Sequence, residues 1–277
     1  MIRALFLFLL LQAGNAFGSY QRIVCLNPLV CEWVAEILGK NATLARVVGV
    51  SEYSNHPDFL RGIPLVGPYP KLHIEGIAAL KPDLVLGSTE YNLSAQMEQL
   101  NRLKLNVVSL PKETFRTMES WITTVGSVLK EDRGALQAKD RWSALWGELK
   151  KSRKSERKVF IEVQHTPLIS VGGGSFLSEA LALVGYSNVF SDLSSGYPKV
   201  SMESVIRTQP DLILILDHAG ESSALAESKR DWARFSTLPA VRNAGIHALP
   251  GDDFARCSLR LLNALKGLRS MHEERNP

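Results

Sequence analysis

Cysteine, strong net charge and long apolar runs are all scarce in this 277-residue chain, and each scarcity excludes a class of protein. Three cysteines, Cys25, Cys31 and Cys257, fall short of a disulfide framework. Their odd number leaves at least one thiol over, and nothing in the sequence chooses a pair. There is no CxxC and no paired His–Cys spacing, so a structural zinc site is not expected. A formal charge of +4, with Lys and Arg spread along the chain, is mild. The densest basic run, Lys150 to Lys158, reads as a solvated helix end or linker, and nucleic acid is not an expected partner. His56, His73, His165, His218, His247 and His272 form no HExxH pattern and no close ligand pair. Gly172-Gly173-Gly174 lacks the Lys-Ser/Thr of a phosphate loop and the spacing of a dinucleotide fingerprint, and reads as a flexible connection before a helix at Phe176. No GxSxG nucleophile elbow occurs. The expectation is a protein that is not an enzyme, with no catalytic residue, no metal ligand and no cofactor.

What is present begins with an address. Arg3 gives a positive start, Ala4 to Leu11 is an unbroken apolar run, and Gly14 and Ala16 supply small residues at the −3 and −1 positions of a cleavage site. Cleavage after Gly18, with Ala16 at −3, is the alternative. The run is far short of the ~20 residues that span a bilayer. Residues 1–18 are therefore expected to be a signal peptide directing the chain to the periplasm. No cysteine follows the run directly, so a lipid anchor is not expected. No later segment is long and apolar enough to cross a membrane. The remainder exceeds a typical domain of about 100–200 residues and suffices for two compact lobes.

One segment occurs twice. Tyr69 to Leu86 reads YPKLHIEGIAALKPDLVL, and Tyr197 to Leu214 reads YPKVSMESVIRTQPDLIL. Tyr69, Pro70, Lys71, Glu75, Pro82, Asp83, Leu84 and Leu86 each meet an identical residue 128 positions on (197 − 69 = 128; 210 − 82 = 128). Each copy predicts a short helix, Glu75 to Leu80 or Glu203 to Thr208, with an acidic residue in its first turn where the helix dipole favours it. Pro82 and Pro210 stop these helices by excluding the preceding residue from the α region. The apolar runs that follow fit strands buried on both faces of a parallel sheet.

The rest of each half repeats the alternation. Strands are predicted at Arg22–Leu26, Val47–Val50 and Val107–Leu110, with a helix over Leu29–Leu38 ended by Gly39. In the second half, strands fall at Val159–Val163 and Ile246–Leu249, with helices at Phe176–Val184, ended by Gly185, and Leu259–Met271. The fold class is α/β, two Rossmann-like lobes around central parallel sheets. Between them Leu136, Trp142, Leu145, Trp146 and Leu149 recur at helical spacing, their indoles reading as core anchors. A helix from Gly134 to Ser152 would extend ~28 Å and restrict hinge opening. The expected organisation is an N-terminal lobe over 19–130, a connecting helix over 131–154 and a C-terminal lobe over 155–277.

Open parallel sheets bind ligands beyond the carboxyl ends of their strands. In the first lobe those positions are Asn27-Pro28, Glu52-Tyr53, Tyr69 and Ser88-Thr89-Glu90-Tyr91. In the second they are Gln164 to Leu168, Tyr197, Asp217-His218 and Gly251 to Arg256. Two facing lobes bring these rims together across a cleft. Tyrosine suits such a wall, having a broad apolar face and one hydrogen-bonding tip. Arg256 is a candidate clamp for a carboxylate, amide or phosphate. Glu75 and Glu203, at matching places, put one exposed carboxylate on each lobe, a two-point plug for basic sockets on a partner.

RIVCLNPLVCEWVAEILG, VVGVSEYSNHP, IEGIAALKPDLVL, VSMESVIRTQPDLILIL and LPGDDFARCSLRLLNAL together resemble the vitamin B12 and iron-chelate periplasmic binding proteins over nearly the whole chain. The similarity is closest to the cobalamin-binding branch. The resemblance implies a class III periplasmic binding protein, two lobes joined by one long rigid helix. It also implies the receptor of an ABC importer that delivers a transported corrinoid to a membrane permease. In that family the tyrosine of VSxYSxxP touches the corrin, which implies Tyr53 here, and a loop ending in arginine implies Asp252, Asp253, Phe254, Ala255 and Arg256. The family's paired acidic residues, which dock on permease arginines, fall on Glu75 and Glu203. Tyr69 and Tyr197 stand where the branch has tryptophans, Leu168 replaces another aromatic, and Asp253 stands where the family's loop can hold one. Val184 and Leu262 occupy the places of a cysteine pair found in some members. Less aromatic area leaves haem or a ferric siderophore as the alternative ligand, with Tyr91 or Tyr53 as the iron-ligating residue. A monomer is expected.

Overall fold

In the computed structural model the described residues are 19–68, 71–89, 94–150, 157–218 and 222–273. The expected signal peptide, and with it Tyr69, Glu90 and Tyr91, lie outside them.

The chain opens with β1 (Ile23–Cys25), α1 (Pro28–Arg46) and β2 (Val47–Val50). It continues through α2 (Ile74–Ala79), β3 (Leu84–Ser88), α3 (Ser94–Arg102) and β4 (Val107–Leu110). These strands form a parallel sheet in the order β2-β1-β3-β4. Two helices follow, α4 (Met118–Leu129) and α5 (Asp132–Leu149). The second half runs β5 (Arg157–Gln164), β6 (Ile169–Ser170), α6 (Phe176–Leu183), β7 (Tyr186–Asn188) and α7 (Met202–Thr208). Then come β8 (Leu212–Asp217), α8 (Ser222–Ala233), α9 (Pro239–Arg242), β9 (Ile246–Pro250), α10 (Gly251–Phe254) and α11 (Leu259–Glu273). Its sheet has the order β6-β5-β8-β9, with β7 also paired to β5 and β6 alone antiparallel. With β7, β5, β8 and β9 in the places of β2, β1, β3 and β4, the two sheets share one plan.

Alternation along the strands explains why both sheets are buried on two faces. Ile23, Cys25, Leu84 and Leu86 point one way, and Val24, Leu26 and Val85 point the other into a separate cluster. In the second sheet Val159, Ile161, Leu212 and Leu214 share the first cluster, while Phe160, Ile213 and Ile215 enter a third. The two halves therefore share one continuous apolar core. α5 lies within it, touching α1, α4 and α11. Trp142 meets Trp33 edge-on at 5.8 Å and stacks with Phe115 at 5.9 Å, and Trp146 stacks on Phe115 at 4.5 Å. The indoles are core anchors.

The duplicated segment has a duplicated job. Lys81 and Gln209, each before its proline, take positive φ values of 47° and 50° and turn the chain out of α2 and α7. Asp83 then accepts hydrogen bonds from the backbone N–H of Gln21 at 2.8 Å and of Arg22 at 2.9 Å. Asp211 accepts one from Lys158 N–H at 2.9 Å. Each aspartate ties its strand to the chain entering the neighbouring one. The helix starts differ: Ser201 and Ser204 form a reciprocal capping box on α7, whereas His73 gives α2 no side-chain cap.

Several expectations are corrected. Gly39, at φ 71°, breaks the first helix as expected, but the chain resumes helix to Arg46. There Arg46 donates to the Tyr20 and Leu129 carbonyls at 2.7 and 3.2 Å and pairs with Glu131 at 2.8 Å, fixing that extension. The connecting region is two helices, turned at Lys130 (φ 58°), and α5 starts two residues before Gly134. Gly134 packs on the Ile37 carbonyl of α1 so closely that a Cβ would collide with it. Gly172-Gly173-Gly174 is no flexible connection. Gly172 and Gly173 donate N–H groups to the carbonyls of Gly196 and Leu193, and all three glycines sit against carbonyls of residues 191–195 with no room for a side chain. All three cysteines are free and buried. A hydrogen bond with Cys31 and burial push the Cys25 thiol well above its ordinary range, and burial does the same to Cys257. Among the described residues no helix is long and apolar enough to cross a membrane.

Candidate functional site

The carboxyl ends of the strands in the two halves converge. β1 leads to Asn27, whose side chain accepts from Val30 N–H at 3.0 Å and starts α1. β2 leads to Tyr53, held at φ 64°, an uncommon backbone for a bulky residue. β8 leads to His218 and β9 to the short α10. A cavity of about 210 Å³ opens where these meet, lined by Asn27, Pro28, Leu29, Tyr53 and Glu113 from the first half. His218, Asp252, Ala255 and Arg256 line it from the second. A second cavity, about 470 Å³, lies within the second half at the ends of β5 and β8 and shares His218 with the first.

The floor of the seam is charged. Arg256, 8% exposed, pairs with Glu32 at 3.1 Å, itself 7% exposed, and donates to the Tyr53 carbonyl at 2.9 Å. Arg260 also reaches Glu32 at 3.4 Å and holds Asp253 at 2.7 Å. Asn55 donates to Asp252 at 2.8 Å, and Cys257 N–H to Glu113 at 3.3 Å. Every one of these bonds except Arg260–Asp253 joins the first half to the second. Burial pushes the Asp252 carboxyl up, but the Asn55 hydrogen bond and the charges of Arg256, Arg260 and His218 outweigh it and hold Asp252 below its ordinary range. Arg256 thus spends part of its hydrogen-bonding capacity tying the halves together while it lines the cavity.

The expected site residues separate by position. Tyr53, Asp252, Ala255 and Arg256 come together at the seam. Tyr53 is 64% exposed at the cavity and Tyr197 is 49% exposed outside the cavity lining. Asp253 is engaged by Arg260, and Phe254 is buried in the shared core. Leu168 is buried in the outer cluster of the second half. Val184 and Leu262 are buried apolar members of the shared core. Glu75 and Glu203 are exposed in the first turns of α2 and α7, where Arg207 pairs with Glu203 at 3.1 Å.

Glu113 and Glu32 were not expected. Glu113 lies three residues past β4, so the strand-end rule carried to that strand points to it. Glu32 sits inside α1, and its role depends on a partner 224 residues away, which no local pattern reveals.

Residues 23–252 match the family of periplasmic binding proteins. A vitamin B12-binding protein of Vibrio campbellii is 29% identical over 258 residues, covering 92% of this chain and 90% of its own length. A vitamin B12-binding protein of Salmonella choleraesuis is 30% identical over 228 residues, covering 80% of each. Among solved structures, the periplasmic vitamin B12 binding protein BtuF of Vibrio cholerae superposes with a TM-score of 0.78 at 25% identity, over 91% of this chain and 96% of that one. The periplasmic heme-binding protein BhuT superposes with a TM-score of 0.80 at 22% identity, over 91% and 97%, a likeness of fold. With a shared plan of two parallel sheets, a cavity at their seam and a family match over most of its length, this chain belongs to the periplasmic binding proteins.

Proposed function

We propose that this protein is the periplasmic solute-binding component of an ABC importer, holding a corrinoid between its lobes and passing it to a membrane permease. The observation that carries this reading is the cavity at the seam, walled by strand-end residues of both halves. Its 210 Å³ is below the ~300–1,000 Å³ of a typical ligand pocket, so a corrinoid lies across the mouth of the cleft, one edge seated in the cavity. Tyr53 offers its face to the macrocycle, and Asp252, Ala255 and Arg256 meet polar groups at its edge. Tyr197, exposed outside the cavity lining, and Tyr69, its counterpart in the repeat, complete the set of ligand-contacting tyrosines. Asp253, through Arg260, and Phe254, through the core, position the loop. The lobes span 19–130 and 155–277 with the connecting segment 131–154, which carries α5, between them, and the shared core keeps their opening small. Residues 1–18 direct export. Glu75 and Glu203 seat the loaded protein on the permease, and the carrier acts as a monomer without catalysis or cofactor.

The similarity to vitamin B12-binding proteins over 80–92% of the chain supports a corrinoid over other planar ligands. Calorimetric titration of purified protein with cyanocobalamin and with cobinamide tests it. One-to-one binding of at least one is expected, weakened about fivefold or more in Tyr53→Ala, since a stacked aromatic anchor commonly contributes more than ~1 kcal/mol. Absence of heat with both contradicts the reading. A haem absorption band that shifts on mixing, and no longer shifts in Tyr53→Phe, would transfer the function to haem.

A further inference from the structure

We propose that His165, Glu227 and Asp231 bind one divalent cation of the zinc class on the wall of the larger cavity. The inference is independent of the corrinoid reading. His165 follows β5, while Glu227 and Asp231 lie four residues apart on one face of α8. One ligand atom from each falls within 4.8 Å of the other two.

The hydrogen bonding around His165 makes the case. Its Nδ1 lies 3.1 Å from Glu162 Oε1 and its Nε2 lies 3.2 Å from Asp231 Oδ2. Glu162 is 1% exposed, and its other oxygen accepts from the indole N–H of Trp232. An ionised carboxylate only accepts, so His165 satisfies Glu162 by donating from Nδ1. That tautomer leaves the lone pair of Nε2 facing a second acceptor, Asp231. In that tautomer Nε2 and Oδ2 both present lone pairs to the space between them, the arrangement that two ligands of one metal ion take up.

One edge of the triad has the spacing of two ligands on one metal. Zinc takes nitrogen and carboxylate ligands at about 2.0–2.2 Å, and two such ligands at a tetrahedral angle stand ~3.3 Å apart. The 3.2 Å between Nε2 and Oδ2 is that edge. Buried Glu162 behind the ring is the supporting carboxylate that orients metal-bound histidines and raises their basicity. Glu162, Glu227 and Asp231 bring three carboxylates. Arg234 takes Oδ1 of Asp231 at 3.3 Å, leaving Oδ2 toward the ring. Glu227 and His165 line the 470 Å³ cavity, from which water completes the coordination.

The test uses full-length mature protein, stripped with a chelator and dialysed, with no corrinoid present. Titration with zinc chloride by calorimetry should give one equivalent bound with a micromolar or tighter Kd. His165→Ala and Asp231→Asn should each weaken it at least tenfold, and Glu162→Gln about 10–100-fold, with circular dichroism unchanged. Nitrogen-15 NMR of the wild-type histidines reads the same point without a variant: zinc should move the Nε2 resonance of His165 while Nδ1 stays protonated. No saturable zinc binding overturns the site. So does binding that survives His165→Ala, or an Nε2 that keeps its proton in saturating zinc, the doubly protonated ring then bridging the carboxylates. Cobalamin titration is a separate readout, so failure there leaves the zinc result standing.

Discussion

The two halves are built to one plan and present different chemistry at their rims. Both use a short helix, a left-handed residue before proline and an aspartate that ties the next strand to its neighbour. Beyond the strands they diverge. The first half offers Asn27, Pro28 and Tyr53, with Glu113 the only acid among the described residues of its rim that line the cavity. The second offers Glu162, His165, Asp217, His218, Glu227 and Asp252. Duplication therefore supplies the scaffold, and the residues that line the cavity at the seam lie in loops outside the repeat.

The strongest way to break the comparison is to act on what the halves share. Glu75→Arg with Glu203→Arg is expected to abolish uptake in cells while calorimetric affinity for the ligand stays near wild type. A loss of affinity would place these carboxylates in the pocket or the core. Next is the tie across the seam. Arg256→Ala leaves Arg260 as the remaining ion-pair partner of buried Glu32 among the described residues, and should cost about 3–5 kcal/mol in urea unfolding. Arg207→Ala, which breaks an exposed pair, should cost ~0.5 kcal/mol or less in the same assay.

The duplicated aspartates sharpen the comparison further. Among the described residues Asp83 receives two backbone N–H groups and Asp211 one, so Asp83→Ala should cost about 2 kcal/mol and Asp211→Ala about 1 kcal/mol. Equal losses would show that the two copies carry the same load despite unequal bonding. The smallest effect is a slope. Burial of the ring, helped by the charge of Arg260, holds His56 below its ordinary range, with Glu32, Asp253 and Asp58 partly offsetting it. The unfolded chain then binds the proton more readily, so stability falls as pH drops through the window below about 6.5. His56→Gln should flatten Tm against pH between about 7 and 5 relative to wild type.

Much of this architecture was legible in the residues. Pro82 and Pro210 with their aspartates marked β3 and β8, and the strand-end rule brought Asn27, Tyr53, His218 and Asp252 to one place because parallel strands all exit at the same edge. What was not legible depends on distant partners. The stiffness of Gly172 to Gly174 is set by carbonyls of residues 191–195, which close on them only because no Cβ intervenes. The bond between Glu32 and Arg256 has no local signature, since a glutamate inside an amphipathic helix ordinarily faces solvent. Glu227 and Asp231 carry no local signature either, because their place beside His165 is set by the packing of α8. β6 and β7 are too short to leave a pattern.

Hydrogen–deuterium exchange with and without saturating cobalamin tests the central claim most directly, because it reports which rim the ligand covers. Protection is expected simultaneously at residues 51–55 and 251–256, one rim from each half. Protection confined to a single half, or none at either rim, would contradict a ligand enclosed between the lobes.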